Sequence, residues 1–346
     1  MGSTRVLFLG DVVMSGGMAD NVSPEIHRLI HSHDLVVPNL EGVFRPPAGP
    51  VHPRGVLHEG SPSSVFNPDR TLFFLGNNHI GDAGRAGLLS TLESLSKEGF
   101  ASFGAKNRYS AERCDIDFFG MGWEPAGCPT DQTIGVMPLS QEVLVAETLK
   151  RSRAKARVVV LHWGLEFERL PLPAHRDLAH RLVDAGANLI IGHHPHCVQA
   201  REVYRGASIF YSLGNFYFEQ KRYGEMNVRY PLMSNIELAV SVEITANGVS
   251  ANPVSLYFDR DTSRLSLDIQ GRAEKVLEQH AGDVTGPSLA YELRYRLLKS
   301  RRTLPTFSGR PGSLPYETAG WLLKIRKGAV ALAIRTGLKR GYRRRD

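Results

Sequence analysis

The chain is poor in cysteine. Cys114, Cys128 and Cys197 are its three thiols, and no two of them form a CxxC pair. That excludes a zinc–thiolate site and a disulfide framework, and makes a reducing compartment the expectation. Long hydrophobic runs are also missing: no apolar stretch reaches the roughly eighteen residues that a membrane-spanning helix needs. The opening MGSTRVLFLGD has only a short apolar run before Asp11, so no signal peptide is expected. A cytoplasmic protein follows, with a peripheral membrane position left to its tail. No internal repeat or low-complexity segment is present, and no recognition module accompanies the basic charge, so nucleic-acid binding is not expected.

What is present is an ordinary globular composition, 42% hydrophobic and 22% charged over 346 residues. The net charge of +7 is unevenly spread. Residues 289–346 hold 15 Lys and Arg against 3 Asp and Glu, a balance of +12, which leaves the rest of the chain at −5. From Glu317 to Lys339, Trp321, Leu322, Ile325, Ala329, Leu332 and Ala333 alternate with Lys324, Arg326, Lys327, Arg335 and Lys339 at helical spacing, before Tyr342 and Arg343 to Arg345. Such a segment suits an anionic membrane surface or an anionic polymer through residues 317–346; the plainer alternative is a solvated helix docked on the body. The expected division is a domain over 1–270 and a basic, partly helical extension over 271–346.

The stretch from Arg157 to Phe218 organises the rest. Val158 to Leu161 is an apolar, β-branched run ending on His162, and Asn188 to Ile191 is another, followed by Gly192 and His193, His194 and His196. Leu178, Leu182, Val183 and Ala185 lie between them at helical spacing, so the segment reads as a βαβ unit with parallel strands. Parallel strands send their C-terminal ends to one edge, where open α/β sheets bind ligands. Other apolar runs end the same way: Thr4 to Leu9 before Gly10-Asp11, Leu35 to Val37 before Pro38-Asn39-Leu40-Glu41, and Thr71 to Leu75 before Gly76-Asn77-Asn78-His79. Helices are expected over Pro24 to His33, around Leu88 to Leu95, and over Gln141 to Lys155. Another strand is expected at Asp117 to Gly122, and antiparallel strands at Glu237 to Ile244, Val249 to Phe258 and Leu265 to Ile269. His52 and His58 lie in a loop and read as surface or rim residues; His27 and His31 read as a solvated helix face. Histidines, carboxylates and an Asn gathered at strand ends form the mixed N/O donor set that suits Mn, Fe, Zn or Co.

The order of motifs resembles the CapA family of capsule and poly-γ-glutamate biosynthesis proteins, itself similar to calcineurin-like metallophosphoesterases. The carrying segments are LGD (9–11), NLEG (39–42), NNHIGDAG (77–84), LHWGLEF (161–167), GHHPHCVQ (192–199) and YSLGNFYFEQ (211–220). The resemblance implies an α/β sandwich of two sheets flanked by helices and a metal-dependent hydrolase acting on a phosphoester or an amide-linked anionic polymer. Its alternative is a metal-binding accessory subunit without turnover. One or two divalent ions are implied. Asp11 and His196 would serve one, Asn78, His162 and His194 the other, with Glu41 as the bridge. His79 takes the place of the general acid, with Asp82 either its partner or a helix N-cap. Asn39, Trp163, Glu166, His193 and Asn215 match family positions and are expected along the substrate, core packing being the alternative for Trp163. Val13 and Glu41 depart from the superfamily pattern, which has histidine and aspartate there.

Overall fold

The computed structural model describes residues 2–46, 48–106, 108–298 and 305–335. Among these, the main strands form an eight-stranded and a six-stranded sheet. In the first, Thr4–Val12, Leu35–Leu40, Leu72–Phe74 and Ala101–Phe103 run parallel in that order. On the other side of Thr4–Val12, Ile236–Thr245, Gly248–Asp259 and Arg264–Leu267 add antiparallel strands. In the second sheet, Ile116–Gly122, Ala156–His162, Leu189–His193 and Ala207–Phe210 are parallel neighbours. The expected βαβ unit is therefore present, with His162 in register beside His193.

The sheets stack because their strands bury both faces. Val6, Phe8, Val37, Phe74, Val158, Val160, Leu189 and Ile191 point into a core between the sheets. Their chain neighbours point outward: Leu7, Leu9 and Val36 pack under the Pro24–His31 and Gly84–Lys97 helices. Val159, Leu161 and Ile190 pack under the Glu142–Arg151 and Pro173–Asp184 helices. Doubly buried strands explain why these runs are continuously apolar instead of alternating. Each such side chain contributes roughly 1.5–3 kcal/mol on burial. The result is the expected sandwich of two sheets flanked by helices.

The segment after residue 270 joins the same cores. Ala273, Val276 and Leu277 of the Arg272–Ala281 helix enter the core between the sheets. Tyr291, Tyr295, Phe307, Tyr316, Ala319 and Leu323 complete the core outside the second sheet. Within the Leu314–Arg335 helix the docked face is not the expected apolar stripe: Leu323 is 1% exposed, Trp321 62%. Leu322, Ile325 and Leu332 are exposed as well. Lys339, Tyr342 and Arg343 to Arg345 lie outside the described residues.

Two glycines let the strands close on each other at the edge where the motifs lie. A Cβ on Gly10 would overlap the Gly214 carbonyl oxygen, and one on Gly192 would overlap the Tyr211 carbonyl oxygen. Backbone cannot swing aside as a flexible side chain can. Gly192→Ala should therefore cost at least the roughly 1–3 kcal/mol typical of overpacking, measured as a lowered urea midpoint. An unchanged midpoint would show that the two segments separate without cost.

Candidate metal centre

The C-terminal edges of the two parallel sets meet, and the chain changes direction there. Asp11 lies in the last turn of the Thr4–Val12 strand, level with Asn215, and Glu41 directly follows the Leu35–Leu40 strand. Asn77, Asn78 and His79 follow the Leu72–Phe74 strand, and His162 ends its own. After Leu189–His193 the backbone takes left-handed values at His194 (φ +97°) and His196 (φ +51°). Non-glycine residues in that region cost of order 1–3 kcal/mol each, and such strain clusters at functional sites.

Glu41 stands at the centre. Its Oε1 is 3.8 Å from His196 Nε2, 3.9 Å from His79 Nε2 and 4.0 Å from His162 Nε2. The Glu41, His194 and His196 donor atoms lie within 4.8 Å of one another. Neither Glu41 oxygen has a hydrogen-bond partner, nor does His194 Nδ1, although all are buried. A buried carboxyl without a donor is expensive, and burial pushes the Glu41 pKa well above its ordinary value, with the adjacent Asp11 carboxyl and the Glu166 and Asp82 charges pushing the same way. Burial likewise holds His162 and His194 well below the usual imidazole range. Neutral imidazoles around an orphaned carboxyl are what a divalent cation would take up, and such a cation would invert the direction of the Glu41 shift. The residues fit the group.

Around this centre the polar atoms are already engaged. Asp11 accepts from Asn39 Nδ2 at 2.8 Å and from the His194 backbone N–H at 3.3 Å, and its Oδ1 is 3.1 Å from His193 Nδ1. Burial would raise the Asp11 pKa, but the close His193 ring and the other imidazoles around it outweigh that and hold it well below the usual carboxylate range. His196 Nδ1 lies 2.8 Å from Asn215 Oδ1 and 3.4 Å from Asp11 Oδ2, so its Nε2 is turned to Glu41. Asn215 Nδ2 in turn donates to Glu237 Oε1 at 3.1 Å. Asn78 Oδ1 faces His162 Nε2 at 2.8 Å.

Asp82 is a partner of His79 and not a cap. The Gly84–Lys97 helix starts after Ala83 without a side-chain cap, while Asp82 Oδ2 lies 2.7 Å from His79 Nδ1 and accepts from the Val56 N–H at 2.7 Å. That contact turns His79 Nε2 toward Glu41, at the partly exposed mouth of the site.

Four of the five residues expected along a substrate lie behind the donors instead. All four are buried: Asn39 donates to Asp11, the Trp163 indole N–H to the Tyr211 carbonyl, Asn215 lies against His196 and donates to Glu237, and His193 Nδ1 lies 3.1 Å from Asp11 Oδ1 without a hydrogen bond. Glu166 alone of the five is exposed. His58 is buried too, contrary to the rim position expected, and burial pushes its pKa down to about 3.

Three contributors were not anticipated. Asn77 ties Asn39 Oδ1 and the Leu40 carbonyl to the His79 N–H. Glu237 anchors Asn215. Tyr230 stacks on His196, with ring centroids 4.7 Å apart, and also meets Phe167 and Phe218. Tyr230 comes from a loop with no periodicity, and nothing in the sequence marked it.

The family model for the bacterial capsule synthesis protein PGA_cap matches residues 5–220, a span holding every donor named above. The chain belongs to the PGA_cap family. Among curated relatives, the PGA biosynthesis protein CapA of Bacillus subtilis is 28% identical over 62% of this chain and 63% of its own length. The capsule biosynthesis protein CapA of Bacillus anthracis is 34% identical over 43% of this chain and 40% of its own. A probable polyglutamine synthesis accessory protein of Mycobacterium tuberculosis is 30% identical over 41% of this chain and 43% of its own. This PGA_cap chain thus spans less than two thirds of the length of those relatives. Among solved structures, a hypothetical protein from Thermus thermophilus aligns over 73% of this chain and 98% of its own at 14% identity and a TM-score of 0.47. The NAD nucleotidase of Haemophilus influenzae aligns over 80% of this chain and 55% of its own at 13% identity and a TM-score of 0.40. Neither likeness bears on function at those scores.

Proposed function

We propose that this PGA_cap protein is a metal-dependent hydrolase that acts on a phosphoester or an amide-linked anionic polymer in capsule or poly-γ-glutamate metabolism. One observation carries the reading: a buried carboxylate, Glu41, has no hydrogen-bond partner and is surrounded by imidazole nitrogens. Glu41, His194 and His196 would hold a divalent ion, with Asn78 and His162 as the adjoining donors for a second. When bound, such an ion supplies Lewis acidity to the scissile group and makes water nucleophilic near neutral pH. The chain does the rest. Asn215 and Glu237 fix the His196 ring, Asn39 and Asn77 hold Asp11 and the His79 backbone in place, and Asp82 orients His79. His79 then stands where it can hand a proton from Nε2 to a leaving group, its ring held in place by the Asp82 carboxylate. Metal analysis of the purified protein, followed by phosphoester and γ-linked glutamate substrates, tests this. Turnover of either class, lost on chelation, supports it. Bound metal with no turnover would leave the accessory-subunit reading, which the name of the M. tuberculosis relative favours.

The exposed face of the Leu314–Arg335 helix supports a peripheral position. Trp321, Leu322 and Ile325 are exposed beside Lys324, and among the described residues no helix is long and apolar enough to cross a membrane. An anionic bilayer offers both an apolar layer and roughly 1 kcal/mol per nearby Lys or Arg. The chain should therefore sediment with phosphatidylserine vesicles, and Trp321→Ser with Ile325→Ser should abolish this without loss of folding. Equal sedimentation of the double variant would refute that position.

A further inference from the structure

The C-terminal helix reaches the candidate metal centre through one short turn. Tyr316 and Leu323 are buried, and Phe307 lies between Tyr316 and Trp123, with ring centroids 5.2 and 4.8 Å away. A Cβ on Gly320 would sit 3.4 Å from Pro125 Cγ, so the helix rests directly on the Glu124–Ala126 turn. That turn is hydrogen-bonded to the centre at one end and packs near it at the other. The Trp123 N–H donates to the His162 carbonyl at 2.9 Å, and a Cβ on Gly127 would lie 3.5 Å from Asn78 Cβ. Lys327, one turn beyond Leu323, donates from Nζ to the Pro125 carbonyl at 3.1 Å. Its side chain is otherwise exposed, and its charge is felt at the buried His194 and Cys128.

We infer that the C-terminal helix is a wall of the cleft and that Lys327 is its anion-binding residue, holding a phosphate or carboxylate group of the substrate. The inference rests on the hydrolase reading above. Asp82 and the exposed Glu166 make the mouth acidic, so an anionic substrate needs a compensating cation there. The carbonyl contact holds the ammonium on the Glu124–Ala126 turn, whose flanking residues meet His162 and Asn78, with donors left over for a ligand.

The test is calorimetric binding of two probes, inorganic phosphate and a γ-linked glutamate oligomer, to the metal-loaded full chain. Lys327→Gln should weaken the probe that binds by about tenfold, the lower range for a charge-assisted hydrogen bond at a partly exposed position. Lys327→Arg should restore most of it. Lys150→Gln, an equal charge change on the exposed face of another helix, should leave binding unaltered. Metal content and melting temperature should not move in any of these variants. Preference for phosphate identifies a phosphoester, and preference for the oligomer identifies polymer carboxylates. Wild-type protein that binds neither probe overturns the hydrolase reading itself. Wild-type binding with an unchanged Kd in Lys327→Gln overturns the role of Lys327 alone.

Discussion

Glu41→Gln should abolish metal-dependent stabilisation while leaving the metal-free protein as stable as the wild type, or more so. The two halves of that result come from one residue. In the metal-free chain Glu41 is a buried carboxyl without a hydrogen-bond partner, and burial already favours its neutral form. Replacing it with a neutral amide of the same size removes an unfavourable group, so the melting temperature holds or rises. With metal present the sign reverses. A ligand that binds only the folded chain stabilises it by about 2.7 kcal/mol at a concentration one hundred times Kd. Loss of a direct donor should exceed the roughly 10–100-fold in affinity lost with a residue behind the ligands, such as Asn215. Thermal melts with and without divalent ions read both halves. A wild-type melt that ignores metal, or a variant that keeps the full shift, contradicts the assignment.

His79→Asn should lower kcat by about 10²–10⁴-fold and leave metal content unchanged. The asymmetry follows from position. His79 sits at the mouth, its Nε2 3.9 Å from Glu41 and its Nδ1 held by Asp82. A nitrophenolate leaving group barely needs a proton, so activated esters should lose much less than alkyl esters. Asp82→Asn should fall between, at roughly 10–100-fold, because it acts through the His79 ring. Equal losses on activated and unactivated substrates would remove His79 as the proton donor.

Much of this architecture is legible in the chain, and its limits are physical. The runs ending in Asp11, Glu41, Asn78 and His162 read as strands because doubly buried β-branched residues leave no other period. Parallel pairing then brings their ends together. The short strands Ser110–Arg113 and Ala207–Phe210 escaped, since pairing with neighbours and not local pattern makes them strands. Which of His193, His194 and His196 faces the centre depends on the positive φ at His194 and His196. Spacing alone does not show a left-handed residue. Asn39 and Asn215 were expected along the substrate from their family positions alone, which do not show that each is used up by a buried partner. In the C-terminal helix the docked face is Tyr316, Ala319 and Leu323, with Gly320 against Pro125, and not Trp321. Apolar residues lie on both faces of this helix, so the pattern alone does not choose between them.

The central claim is that Glu41 and the histidines around it form a divalent metal centre. Anomalous diffraction from crystals grown with zinc measures it directly. A peak about 2.0–2.2 Å from a Glu41 oxygen and from His194 and His196 nitrogens is the predicted result. Crystals with zinc bound elsewhere, or with Glu41 still unliganded, would contradict it.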